Sequence, residues 1–273
     1  EYPRIYYSGP GLCVGLCQFS LRASKAEVNR EYDTISNFIE AKKKIDQHIQ
    51  HEVNFLKLYI DNIPSVGLME KDLFKKIFEY AQVKKMKVVV HAIDKSAIEF
   101  VSSFPVHSLE HVNELTEKSL ENIKKHNISI VPTDLGFKWI MQGYKKRGMS
   151  EQKIESETLH MFKERSLRYK NLFTEHIEFA FGSDFYFPVD IDSKKFVNAI
   201  FDAFDVMDLS GANEKIKIKA LTLGAAKAAG AKDLGDIAIG MDGSLVVFKE
   251  NPLQNFKHIR KVHAVFHRGE KVE

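Results

Sequence analysis

The sequence holds only two cysteines, Cys13 and Cys17, in 273 residues, so no disulfide framework staples the chain. For two thiols this close, a reduced, cytoplasmic setting is the default, and a bond between them is the alternative. No apolar run approaches the roughly 18 residues of a membrane span. No excess of one charge exists either: 40 basic against 37 acidic side chains leave +3. That balance points to neither nucleic acid nor anionic lipid. Repeats, low-complexity tracts and a visible signal peptide are all lacking, and the chain opens on Glu1 without an initiator Met. What is present is 44% hydrophobic and 28% charged residues, a composition that can bury a sizeable core.

Short apolar runs alternate with longer stretches of helical period. The strand expectations are residues 4–8, 54–61, 87–93, 107–112, 128–133 and 178–184. Most alternate little, as strands buried on both faces do. Helices are expected over 27–51, 70–84, 95–103, 114–126, 150–173, 193–205 and 213–230, with Ser150 and Asp192–Ser193 as caps and Gly230 as a stop. This alternation predicts βαβ units and a parallel sheet. The fold class is α/β, a (β/α)8 TIM-type barrel here incomplete at about six strands. A small C-terminal β-sandwich portion follows, with strand-like pieces at 236–240, 244–249 and 262–268. The division is 1–230 for the barrel and 231–273 for the sandwich portion.

In such a barrel, reactive groups come from the C-terminal ends of several strands. Those ends read Lys57, His91, His111, Thr133 and Asp184. Each has a bland explanation: a solvent-facing lysine, a core histidine, an exposed turn, a helix cap. Together they make a set with hydrolytic chemistry. Neutral imidazole and carboxylate are ordinary zinc ligands. A buried lysine of depressed pKa can capture carbon dioxide as a carbamate, which binds like a carboxylate. Tyr59 and Asp61, just beyond Lys57, and Tyr186, beyond Asp184, are placed to meet a substrate. The glycine-rich stretch 9–15 lacks dinucleotide spacing and reads as a loop at the barrel mouth.

The stretches FLKLYID, VVVHAID, SLEHV, ISIVPT and FAFGSD resemble the amidohydrolase superfamily, particularly its imidazolonepropionase-like and prolidase-like members. The tail segments ALTLGAAKAAG and GDIAIG are similar to that family's last barrel helix and closing sandwich. The resemblance implies that Lys57 is a carboxylated lysine bridging two metals. It makes His91 and His111 ligands of the second metal, and Asp184 a ligand of the first and the proton shuttle. The implied reaction is attack of a metal-activated hydroxide on a C–N bond of an amide, cyclic amide or dipeptide, with zinc the first choice of divalent metal.

One family feature is missing: no His-x-His occurs anywhere. The expectation is therefore a missing N-terminal segment or a partner chain, two ions in a complete protein and one in this chain. Small-molecule or short-peptide substrates are expected, and the incomplete sandwich makes room for a homo-oligomer. Two readings stay open beside hydrolysis: a non-catalytic scaffold or binding module derived from such a barrel, and a deaminase or esterase using the same ligands.

Overall fold

The computed structural model describes residues 4–15, 31–62, 67–134, 136–146, 148–184, 201 and 204–272. They form two compact units, Glu1–Ile130 and Val131–Glu273.

In chain order the first unit has β1 (Gly11–Val14), β2 (Tyr32–Ile35), α1 (Phe38–Gln50), β3 (Phe55–Tyr59), α2 (Lys71–Val83) and β4 (Lys87–Ala92). Helix α3 (Lys95–Ser102), β5 (Ser108–His111) and α4 (Glu117–His126) follow, and β6 (Ser129–Val131) reaches the boundary. The six strands form one sheet in the order β2-β1-β3-β4-β5-β6, and every pairing from β2 to β5 is parallel. This is the α/β barrel-type architecture expected, with the barrel not closed. Contiguous apolar runs make the central strands: Leu56, Leu58, Val88, Val90 and Leu109 are buried on one face, and Phe55 and Val89 on the other. Helix residues Phe74, Ile77, Phe78, Ile98 and Val101 are buried in the same unit. Polar caps start the helices where the sequence turns: Asn37 Oδ1 accepts from Glu40 N at 3.1 Å and Asp94 Oδ1 from Ala97 N at 3.0 Å.

Several boundaries differ from the sequence reading. Residues 4–8 contribute only a bridge from Ser8 to Phe55, while the glycine-rich stretch expected to be a loop supplies β1. Residues 32–35, expected inside a helix, form β2, and α1 starts only after the Asn37 cap. Cys13 on β1 is buried and disulfide-bonded, so its thiol is not free as the reduced default required. The other cysteine, Cys17, lies outside the described residues.

The second unit contains α5 (Phe137–Lys146), α6 (Glu151–Thr174), α7 (Phe204–Leu209), α8 (Glu214–Leu221) and α9 (Leu223–Ala229). A three-stranded antiparallel sheet follows, β7 (Leu245–Phe248), β8 (Val262–His267) and β9 (Glu270–Lys271), with a short 3-10 helix, Phe256–Arg260, between β7 and β8. The helix expected over 213–230 is broken at Thr222, the cap between α8 and α9. Residues 178–184 are not a ladder strand; only Phe179 makes a bridge. Gly224 lies against this segment, and a Cβ there would stand 2.2 Å from Phe179 O. Residues 236–240 are bends and turns rather than a strand. The helix expected over 193–205 and its Asp192–Ser193 cap lie almost wholly outside the described residues. Among the described residues no helix is long and apolar enough to cross a membrane.

Candidate metal centre at the strand ends

Register brings the predicted residues of the first unit together. Lys57 pairs with Val89, Tyr59 with His91 and His91 with Glu110. Because side chains alternate along a strand, Lys57, Tyr59, His91, Ser108 and Glu110 project from the face opposite the apolar one. His111 breaks the alternation. Its φ of +71° is the left-handed conformation, and its ring stands 4.4 Å from that of His91, at 71°. Two imidazoles from neighbouring strand ends thus meet edge to face.

Lys57 does not point to solvent. Its side chain is 15% exposed and its Nζ donates to Glu110 Oε2, whose side chain is 17% exposed. Ser108 Oγ donates to the other Glu110 oxygen at 3.2 Å. The ammonium also lies 5.1 Å from the centre of the Tyr59 ring. Tyr59 in turn packs on His91, centroids 5.2 Å apart, and on Tyr32 at 4.6 Å. His91 Nε2 lies 3.0 Å from Asp61 Oδ2. Asp61, read from the sequence as a substrate contact, sits on the His91 imidazole. Sequence reasoning missed Glu110 as the partner of Lys57. The available signal was parity: Glu110 lies one strand beyond His91 on the same face.

Asp184 belongs to the second unit. It is exposed and has a left-handed φ of +45°. Tyr186 lies outside the described residues. Among the described residues, no three His, Cys, Asp or Glu are grouped so as to hold a metal ion. The donor chemistry nevertheless fits one in part. His91 and His111 are close enough to share an ion, and a Lys57 carbamate would replace an ammonium that repels cations with an anion that attracts them.

The model of the amidohydrolase family matches residues 6–272. The chain belongs to the amidohydrolase family. No curated protein matches the sequence. Among solved structures, this amidohydrolase is similar to a Xaa-Pro dipeptidase with bound methionine in the active site, at 17% identity and TM-score 0.78. That alignment covers 99% of this chain and 68% of the dipeptidase. Ochratoxinase of A. niger is also similar, at 17% identity and TM-score 0.76, with 99% and 66% covered. Molinate hydrolase aligns at 15% identity and TM-score 0.69, with 94% and 61% covered. At such identities the likeness is one of fold.

A second buried polar cluster lies in the second unit. Asp134 is 2% exposed and accepts from Arg165 Nε at 2.9 Å, from Arg168 Nη2, and from Tyr169 Oη at 2.5 Å. Burial alone would raise the Asp134 pKa. The Arg168 and Arg165 charges and the Tyr169 hydroxyl outweigh it and hold the carboxyl below its ordinary value. Burial, then the Asp134 charge, push the Tyr169 phenol well above its own.

Proposed function

We propose that this amidohydrolase is a metal-dependent hydrolase of a C–N bond in an amide, cyclic amide or dipeptide. The observation that supports it most is the gathering of Lys57, His91 and His111 at three adjacent strand ends, with the two rings 4.4 Å apart. Relatives of the same fold named for dipeptide, ochratoxin and molinate hydrolysis support the bond class.

In this reading Lys57, His91 and His111 would hold a divalent metal, zinc by ligand type, and this chain's own donors would suffice for about one ion. When bound, the metal supplies Lewis acidity and lowers the pKa of water. Lys57 serves it as a carbamate. Its ammonium first loses a proton; the neutral amine then forms an N–C bond to carbon dioxide and releases a second proton. The product is anionic, so it repels Glu110, and the Lys57–Glu110 ion pair must part for the site to load. Asp184 takes the proton of the attacking water and returns it to the leaving nitrogen. Tyr59 contacts the substrate, a small molecule or short peptide. The barrel comprises residues 1–230 and the sandwich portion 231–273. Cytoplasmic residence is the less favoured part of this reading, because Cys13 is bonded.

The test is Asp184→Asn with folding verified by circular dichroism. Hydrolysis of amide and dipeptide substrates should fall by about 10²–10⁴-fold. A second reading, a non-catalytic binding module, is favoured by the Lys57–Glu110 ion pair, which satisfies the lysine without any metal. Turnover by the wild-type chain that is absent under every metal supplied would establish it.

A further inference from the structure

We propose that Asp61 is a positioning residue that fixes the tautomer and orientation of His91; its benefit to metal binding rests on the reading above. The carboxylate is 7% exposed, and its Oδ2 is 3.0 Å from His91 Nε2. Its other oxygen, Oδ1, is buried with no hydrogen-bond partner. A carboxylate kept for stability alone would have both oxygens satisfied, because leaving one unmade is costly. Asp134 in the second unit has that arrangement, with donors on both oxygens. Among the described residues Asp61 has one hydrogen-bond partner, the ring of His91.

The backbone around Asp61 is held on both sides. Ile60 N–H donates to His91 O at 3.0 Å, which carries the β3–β4 pairing past the last residue of β3. Asn62 N–H donates to Asp94 Oδ2 at 2.9 Å, which ties the loop to the cap of α3. Asp61 is thus placed by the same strand that it faces. The His91 ring is also packed, by Tyr59 and by His111. A carboxylate opposite Nε2 keeps the proton on that nitrogen and leaves the lone pair on Nδ1. A metal-binding histidine held in this way by a carboxylate has a fixed ring and a more basic donor atom.

The experiment uses the full 273-residue chain labelled with 15N. Long-range 1H–15N correlation at neutral pH reads the His91 tautomer, with its signals identified by their loss in His91→Gln. Zn2+ affinity is measured alongside by competition with a chromophoric chelator. The wild type should show Nε2–H. Asp61→Ala should mix the tautomers and weaken Zn2+ binding by about 10–100-fold, with Asp61→Asn intermediate. Nδ1–H in the wild type, or variants that leave both tautomer and affinity unchanged, would overturn the proposal. Absence of Zn2+ binding by a wild type that keeps Nε2–H would instead overturn the metal reading and support the hold of Asp61 on the ring. Should both variants lose their cooperative unfolding, the wild-type tautomer decides alone.

Discussion

Two aspartates with covered carboxylates, one in each unit, are treated very differently by their surroundings. Asp134 receives two guanidinium groups and a phenol, and the charge is neutralised on both oxygens. Among the described residues Asp61 meets a single imidazole and keeps an unmet oxygen. A closed network stabilises a fold; an open one keeps capacity for a ligand. The difference separates structural polarity from chemical polarity within one chain.

The largest effect should come from breaking the closed network. Asp134→Ala strands Arg168 and Arg165 together in the interior and should cost about 3–5 kcal/mol in chemical denaturation. A loss under about 1 kcal/mol would put Asp134 in the same class as an exposed pair. The pH dependence has a definite sign. The folded carboxyl has its pKa lowered, so its stabilisation is complete above the unfolded value and is lost as pH falls through the folded one. Acid denaturation should therefore draw on Asp134 only below about pH 4. Stability that climbs as pH drops through that range would contradict the network.

A smaller effect tests the packing of the first unit. A Cβ on Gly9 would stand 2.6 Å from His48 Cδ2, so Gly9→Ala should destabilise by about 1–3 kcal/mol. His48 itself is held neutral: burial lowers its pKa, and the nearby Asp33 charge recovers only part of the shift. Its contribution is present above the unfolded value of about 6.5 and declines as pH falls below it. An NMR midpoint for His48 above that value would show that the Asp33 carboxylate outweighs the burial of the ring. Smallest of all, a thiol assay on the denatured, unreduced chain should find no free thiol, since Cys13 is bonded. Two titrating thiols would restore the reduced setting.

The central strands were legible because parallel strands covered on both faces are written as short apolar runs: 54–61, 87–93 and 107–112 enclose β3, β4 and β5. Residues 32–35 were not, because Asp33 and Thr34 interrupt the apolar pattern and the helix behind them is long. Residues 178–184 carry strand composition without a ladder. At the candidate site, strand-end positions singled out Lys57, His91 and His111, which the register gathers. What the pattern could not reveal was the tertiary pairing: Glu110 closing on Lys57, Asp61 closing on His91, and the left-handed turn at His111 that brings its ring to its neighbour.

Zinc titration of the full chain in bicarbonate buffer, beside His91→Gln and His111→Gln, tests the central claim most directly. The account predicts about one tightly held ion per chain, lost in both variants while the fold is kept. No binding by the wild type, or binding that survives both substitutions, would contradict it.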